Sequence, residues 1–259
     1  MNPMTVTKLR DGVWNFNEQA PGTAVDAYLL VGQERAVMID ALQEATGVYT
    51  KARELTDLPI DLLLTHGHFD HAGASTKEFI DAGCTVYMAM ADYPILTGFS
   101  GSTLPEDAFT DLKDGQIFHL GGCVLETILV PGHTPGSAIF LDRAAGLVYS
   151  GDSFGSGPIW LQLPGSLPLA QYQKVLEDTL AKLETVPELL LLTGHRNQSP
   201  EPLNLDYVCD LLDTVKAVRD GALRGETQQM ELRGSTIPFA VVSHKKMLGL
   251  FYSPEHIEG

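Results

Sequence analysis

Apolar and polar positions alternate in short blocks along the first forty residues. Val13 to Phe16, Ala24 to Val31 and Ala36 to Ile39 have the length and composition of strands, parted by Pro21-Gly22 and by the Gly32 to Arg35 turn, and so predict a meander ahead of any helix. Residues 44 to 56 then change period, with Val48, Ala52 and Leu55 on one face and Pro59 as a stop, which predicts a helix. Ile60 to Thr65 reads as a strand, Ala74 to Ala82 as a helix ended by Gly83, and Thr85 to Met90 as a further strand. Leu96 to Gly115, rich in Gly, Ser, Thr and Asp, reads as an irregular excursion.

The second half follows the same grammar. Ile117 to Leu120, Val124 to Val130, Ala138 to Leu141 and Leu147 to Ser150 predict four strands, and Glu188 to Thr193 another. Helices are predicted over Leu169 to Leu183 and Leu203 to Leu223; the latter puts Val208, Leu211, Leu212, Val215 and Val218 on one face. The tail holds a strand candidate at Phe239 to Ser243 and an apolar run at Met247 to Tyr252. With no repeat and no low-complexity linker, one domain over residues 1–259 is expected, with 203–259 as a C-terminal helix and strand extension.

Composition narrows the function. The chain is 44% hydrophobic and carries 17 Lys+Arg against 33 Asp+Glu, a net charge of −16. So acidic a surface repels phosphate backbones, which argues against nucleic acid as a partner. Cys84, Cys123 and Cys209 form no CxxC pair and read as buried, reduced thiols. No apolar run is long enough for a membrane span, and none follows Lys8 and Arg10 as a secretory signal would require, so a cytoplasmic protein without a membrane partner is expected.

The candidate chemistry lies at strand ends. The strand at Ile60 runs into Thr65-His66-Gly67-His68-Phe69-Asp70-His71, that at Val124 into Pro131-Gly132-His133, that at Leu147 into Gly151-Asp152, and that at Leu189 into Thr193-Gly194-His195. Strand ends on one edge of a layered α/β fold converge in a crevice. In an extended segment His66 and His68 project to the same side and can meet one cation, whereas Asp70 and His71 fall as the chain turns and can serve a neighbouring position. Imidazole and carboxylate are the usual ligands of zinc and comparable metals. With His133, Asp152 and His195 added, there are enough donors for two shells and one shared carboxylate. His119, His244 and His256 stand alone and read as hydrogen-bonded core or rim residues.

His66-x-His68-x-Asp70-His71, then Pro131-Gly132-His133-Thr134-Pro135-Gly136-Ser137, Gly151-Asp152 and Gly194-His195, resembles the metallo-β-lactamase superfamily in order and approximate spacing over roughly residues 5 to 200. The resemblance implies an αββα four-layer sandwich of two mixed β-sheets flanked by helices, with a dinuclear metal centre at one edge. His66, His68 and His133 would form one site, Asp70, His71 and His195 the other, and Asp152 would bridge them. Zinc is the first expectation for the two divalent ions, with iron or manganese as alternatives. Asp40 resembles the family's aspartate that orients a ligand histidine.

The implied chemistry is hydrolysis of an ester, thioester or lactone of a small molecule, by a hydroxide whose parent water has its pKa lowered to about 7 between two cations. Asp70 and Asp152 would be the catalytic carboxylates, with Asp70 also moving a proton. A glutamate at the His68 position would mark the flavodiiron branch, and a cysteine at the Asp152 position a familiar subclass of β-lactamases; neither is present. The pattern is closer to glyoxalase II-like thioesterases and acyl-homoserine-lactone lactonases. A mononuclear-iron persulfide dioxygenase, a phosphodiesterase and a β-lactamase-like amide hydrolase share the ligand list and stay open as alternatives. The loop Ser153 to Leu161 reads as apolar and flexible, so Phe154, Ile159 and Trp160 are candidate pocket residues, joined by Tyr252 if the tail folds back as a lid. A small-molecule substrate is the expected partner, and a homodimer stays open.

Overall fold

The computed structural model describes residues 4–20, 23–199, 202–232, 234–245 and 249–259. The Pro21-Gly22 turn and Met247 and Leu248 of the last apolar run lie outside the described residues. Strands β1 (Met4–Arg10), β2 (Val13–Ala20), β3 (Thr23–Val31) and β4 (Ala36–Ile39) form the expected meander with one strand more. With β5 (Ile60–Leu63), β6 (Val86–Met88) and β7 (Thr110–Asp111) they make a mixed seven-stranded sheet in sequential order, parallel from β4 onward. β1 is an edge strand with no buried residue, so its sequence carries too few apolar positions to announce it.

Helix α1 (Val48–Leu55) crosses between β4 and β5, and α2 (Thr76–Asp81) between β5 and β6. α1 starts later than its apolar period suggests. The Glu18 carboxylate accepts the backbone N–H groups of Gln43, Glu44 and Ala45 and so holds that stretch as a loop. A second mixed sheet contains β8 (Ile117–His119), β9 (Val124–Leu129), β10 (Ala138–Asp142), β11 (Leu147–Gly151), β13 (Leu190–Thr193) and β14 (Leu203–Asn204), in the order β14-β13-β11-β10-β9-β8. Helices α3 (Leu169–Leu183) and α4 (Leu205–Arg219) cover it, α4 being capped where the Asn204 side chain accepts from the Asp206 N–H.

Layering follows from strand alternation. In β4, Val37 and Ile39 turn inward to a cluster with Phe140, Tyr149 and Leu192 of the second sheet, while Met38 turns outward to Val48, Ala52 and Phe79 under α1 and α2. The two sheets thus face one another with helices outside, which is the αββα arrangement. Each fully buried side chain of this kind contributes roughly 1.5–3 kcal/mol.

The expected pair of sheets is joined by a third. β12 (Ile159–Leu161), β15 (Glu226–Leu232), β16 (Ser235–Val242) and β17 (Leu250–Tyr252) form it in the order β12-β17-β16-β15. Two of its strands were hidden: β15 is polar and mostly exposed, and β12 is three residues long inside a Gly/Pro-rich stretch. Its inner residues Ala240, Val242, Leu250 and Tyr252 share one apolar cluster with α3, α4 and the second sheet. The three cysteines are free but half-buried rather than buried.

Candidate metal centre

All seven predicted donors meet at the edge where the strands of both large sheets end. β5 delivers His66, His68, Asp70 and His71 through the turn that follows it, and the segments after β9, β11 and β13 deliver His133, Asp152 and His195. They fall into two groups, His66 with His68 and His133, and Asp70 with His71, Asp152 and His195, the donor atoms of each lying within 4.8 Å of one another. Asp152 reaches toward both: its carboxylate is 3.4 Å from His71 Nε2, 3.3 Å from His195 Nε2 and 3.8 Å from His133 Nε2. Asp70 lies 3.4 Å from His195 Nε2.

The surroundings orient four of the five imidazoles. His71 Nδ1 lies 2.8 Å from Asp40 Oδ2, His133 Nδ1 2.8 Å from the Trp160 carbonyl, and His195 Nδ1 2.7 Å from the Ala24 carbonyl. Those acceptors require the proton on Nδ1, which leaves Nε2 as a lone pair aimed at the centre. His66 Nδ1 is 3.0 Å from Thr65 Oγ1, whose own proton goes to Asp40 Oδ2, so His66 obeys the same rule. Asp40 is buried at 2% exposure, and it accepts from the Thr65 N–H as well. It sits at φ 64°, a left-handed conformation that aspartate tolerates, and this aims its carboxylate back at His71.

Do these residues suit a cation? His66 Nε2, His71 Nε2 and Asp152 Oδ1 are buried atoms with no hydrogen-bond partner, a costly arrangement unless something binds them. Three of the seven donor residues thus keep a buried polar atom without a hydrogen-bond partner at the centre, and imidazole with carboxylate is the donor chemistry of zinc, iron and manganese. The residues fit the metals they were expected to hold.

The charges agree. Burial holds His68 down at about 3 and pushes His66 down also, so both are neutral donors at physiological pH. Burial opposes charge on His195 too, but Asp152 and Asp70 outweigh it and lift that imidazole to about 10 in the absence of metal; His71 moves the same way beside Asp152, Asp40 and Asp70. Burial would raise Asp70, yet His71 and His195 hold it down at about 2. Metal binding must expel the protons that the carboxylates draw onto His71 and His195. Affinity for zinc is therefore expected to weaken from about pH 9 to about pH 6, by roughly tenfold or more per unit, in competition with a chromophoric chelator; a flat profile contradicts the assignment.

A residue that sequence reading missed ties two donor loops together. Asp92, fully buried, accepts from the Gly67 N–H at 2.7 Å, the Gly136 N–H at 2.5 Å and Thr134 Oγ1 at 2.7 Å. Gly67 lies between His66 and His68, and Thr134 and Gly136 follow His133. Both glycines are required by this approach: a Cβ at Gly67 would come within 2.8 Å of the Asp92 carbonyl oxygen, and one at Gly136 within 2.8 Å of its Cγ. Asp92 lies in the segment Ala91-Asp92-Tyr93, which has no motif, so only its partners reveal it.

The centre opens into a cavity of about 570 Å³. Of the candidate pocket residues, Trp160 lines it. Phe154, Ile159 and Tyr252 do not: they are buried at 0%, 0% and 4% exposure in the apolar cluster under the second sheet. Ile159 and Tyr252 neighbour the cavity-facing Trp160 and Phe251, and strand alternation turns them to the other side. Phe154 belongs to a largely buried stretch of the loop, its carbonyl accepting from Ser150 Oγ, and it packs beneath the part of the loop that lines the cavity through Ser156, Pro158 and Trp160. Phe99, Leu232 and Phe251 line the cavity without having been anticipated.

Comparison with known proteins agrees with this geometry. The sequence model of the metallo-beta-lactamase superfamily matches residues 20–195. A probable metallo-hydrolase of Bacillus subtilis, YqgX, is 32% identical over 186 residues, covering 66% of this chain and 84% of its own. The hydroxyacylglutathione hydrolase GloC of Haemophilus influenzae is 28% identical over 179 residues, covering 63% and 81%. The crystal structure of TTHA1623 in a di-iron-bound form superposes with a TM-score of 0.56 at 27% identity, covering 73% of this chain and 93% of that one. Among the described residues no helix is long and apolar enough to cross a membrane. With its strand-end histidines and aspartates converging as that fold requires, this chain belongs to the metallo-beta-lactamase superfamily.

Proposed function

We propose that the protein is a two-metal hydrolase of small-molecule esters, thioesters or lactones, with zinc as the first choice of metal. The observation that carries the reading is the Asp152 carboxylate standing between the two donor groups, within 3.8 Å of histidines from both, at the floor of the cavity. His66, His68 and His133 would hold one ion, Asp70, His71 and His195 the other, and Asp152 both. Bound there, such ions supply a water acidified to near-neutral pKa and a Lewis acid for the carbonyl oxygen. The chain's own residues do the rest. Asp40, the Trp160 carbonyl and the Ala24 carbonyl hold three imidazoles in the required tautomer. Asp70, ionised at neutral pH and facing the cavity, accepts the hydrogen bond of the attacking water and carries its proton toward the leaving group. The name of the GloC relative, a thioester hydrolase, supports the thioester arm.

The test is a panel of lactone, thioester, aryl ester, phosphodiester and β-lactam substrates on protein stripped of metal and reloaded with zinc, manganese or iron. Turnover of the carbonyl esters by the reloaded protein and not by the stripped one is expected. Cleavage confined to the phosphodiester or the β-lactam overturns the reading, as does oxygen consumption on a persulfide without ester hydrolysis.

A further inference from the structure

The third sheet gives the cavity a side that the donor residues do not explain. β12 and β17 run parallel with Trp160 opposite Phe251, and alternation sends Ile159, Leu161, Leu250 and Tyr252 into the core. Trp160 and Phe251 are left on the opposite side, facing the cavity, their rings stacked at 5.8 Å and 28°. Phe239 of β16 backs Phe251 at 4.9 Å, and Leu232 at the end of β15 extends the same wall. Both facing rings are only half-buried, so apolar area is held inside a concavity with nothing of the described chain covering it.

This wall is fastened to one half of the centre. The Trp160 carbonyl accepts from His133 Nδ1, and the Phe99 ring lies 5.0 Å from that of His68, so apolar surface collects beside the three-histidine group. The other half is polar: Thr23 Oγ1 lies 3.2 Å from His195 Nδ1, Gln198 Nε2 donates to Thr23 Oγ1, and Ser156 Oγ accepts from the Gly194 N–H. The cavity is therefore two-faced across the point where the two donor groups meet. Three of the four strands of the wall's sheet, β15 to β17, lie beyond residue 195, outside the stretch matched to the superfamily. The wall is thus built by a part of the chain that the family match does not reach.

We propose that this sheet selects neutral esters, thioesters or lactones that carry one bulky apolar group, aliphatic or aryl, laid on Trp160 and Phe251 with the scissile carbonyl at the centre and the polar portion toward Thr23 and Gln198. The proposal rests on the hydrolase reading above. A charged group on this wall would lose hydration without gaining a partner, whereas each buried methylene gains affinity.

Two measurements separate the wall from the hydrolysis. On the zinc-reloaded protein, kcat/KM for 4-nitrophenyl esters should climb from acetate to octanoate by roughly fourfold per methylene until the wall is covered, with phenylacetate as the aryl arm. Alkyl acetates form the mirror series with the apolar group on the leaving side. Phe251→Ala should cut the octanoate-to-acetate ratio by about tenfold or more, and Phe251→Leu should restore most of it. Binding is read apart from turnover in a Trp14→Phe background, where Trp160 is the remaining tryptophan. Saturable change of its emission with 2-decanone, which has no leaving group, is expected, weakened about tenfold by Phe251→Ala. A climb in either ester series together with saturable ketone binding supports the proposal. Ester hydrolysis that ignores chain length in both series, with no ketone response, overturns the wall and spares the hydrolase. Ketone binding without turnover of any ester overturns the hydrolase and, with it, the substrate class, while leaving the apolar site.

Discussion

Replacing Asp152 with alanine is expected to lower bound metal from two equivalents per chain to one or fewer and to reduce ester hydrolysis by more than about a thousandfold. The reason is position. Its carboxylate lies within 3.8 Å of His71, His133 and His195, and on the proposed reading it is the anion that serves both donor groups. Without it, His66, His68 and His133 form a group with no negative charge of their own, and two cations would face each other with no anion between them. Asp152→Asn keeps the volume and loses the charge, and so should resemble the alanine variant in metal content. Elemental analysis of purified, reloaded protein and the ester panel decide it. Full metal with full turnover in either variant would refute the shared role.

The second large effect belongs to Asp92. In Asp92→Ala the N–H groups of Gly67 and Gly136 and the Thr134 hydroxyl lose the carboxylate that accepts from them in a fully buried place. An orphaned buried donor costs about 1–3 kcal/mol, so a loss on the order of 4 kcal/mol, or about 10 °C in melting temperature, is expected. The donor loops should also loosen, weakening zinc affinity by about 10- to 100-fold, as loss of a group that orients ligands commonly does. Asp92→Asn separates the two effects. It keeps one accepting oxygen but sets an amide N–H against a backbone N–H, so it should fold and still bind metal less tightly. The visible absorption of the cobalt-loaded protein should change accordingly. An Asn variant with unaltered affinity and spectrum would reduce Asp92 to a stabilising residue.

The contrast between these two aspartates explains what could be read in advance. Asp152 stands at a strand end next to glycine, where the chain has to turn, and so do His66, His68, His133 and His195. Local period locates the strand, and the residue type beyond it announces the chemistry. Asp92 has neither sign, because its role is defined by three partners 25 to 44 residues away, including Gly67 and Gly136. The pocket followed the same division. Trp160, an apolar residue near Asp152, lines the cavity, whereas Phe154 and Ile159, equally apolar and as near in sequence, and Tyr252 of the last apolar run are in the core.

By itself, then, the sequence determined the helices and most strands of the two large layers, though not the edge strands β1, β7 and β14, and which seven residues could hold metal. Hydrophobic period and metal-donor chemistry are local properties that each segment carries with it. Only the tertiary structure decided the grouping of those donors, the acceptors that fix their tautomers, the third sheet, and which face of β12 and β17 looks into the cavity. β12 and β17 are three residues long, and a one-residue change of register would exchange Trp160 and Phe251 for their core neighbours. That register is held by pairing between strands some ninety residues apart, an interaction that exists only once the chain has folded.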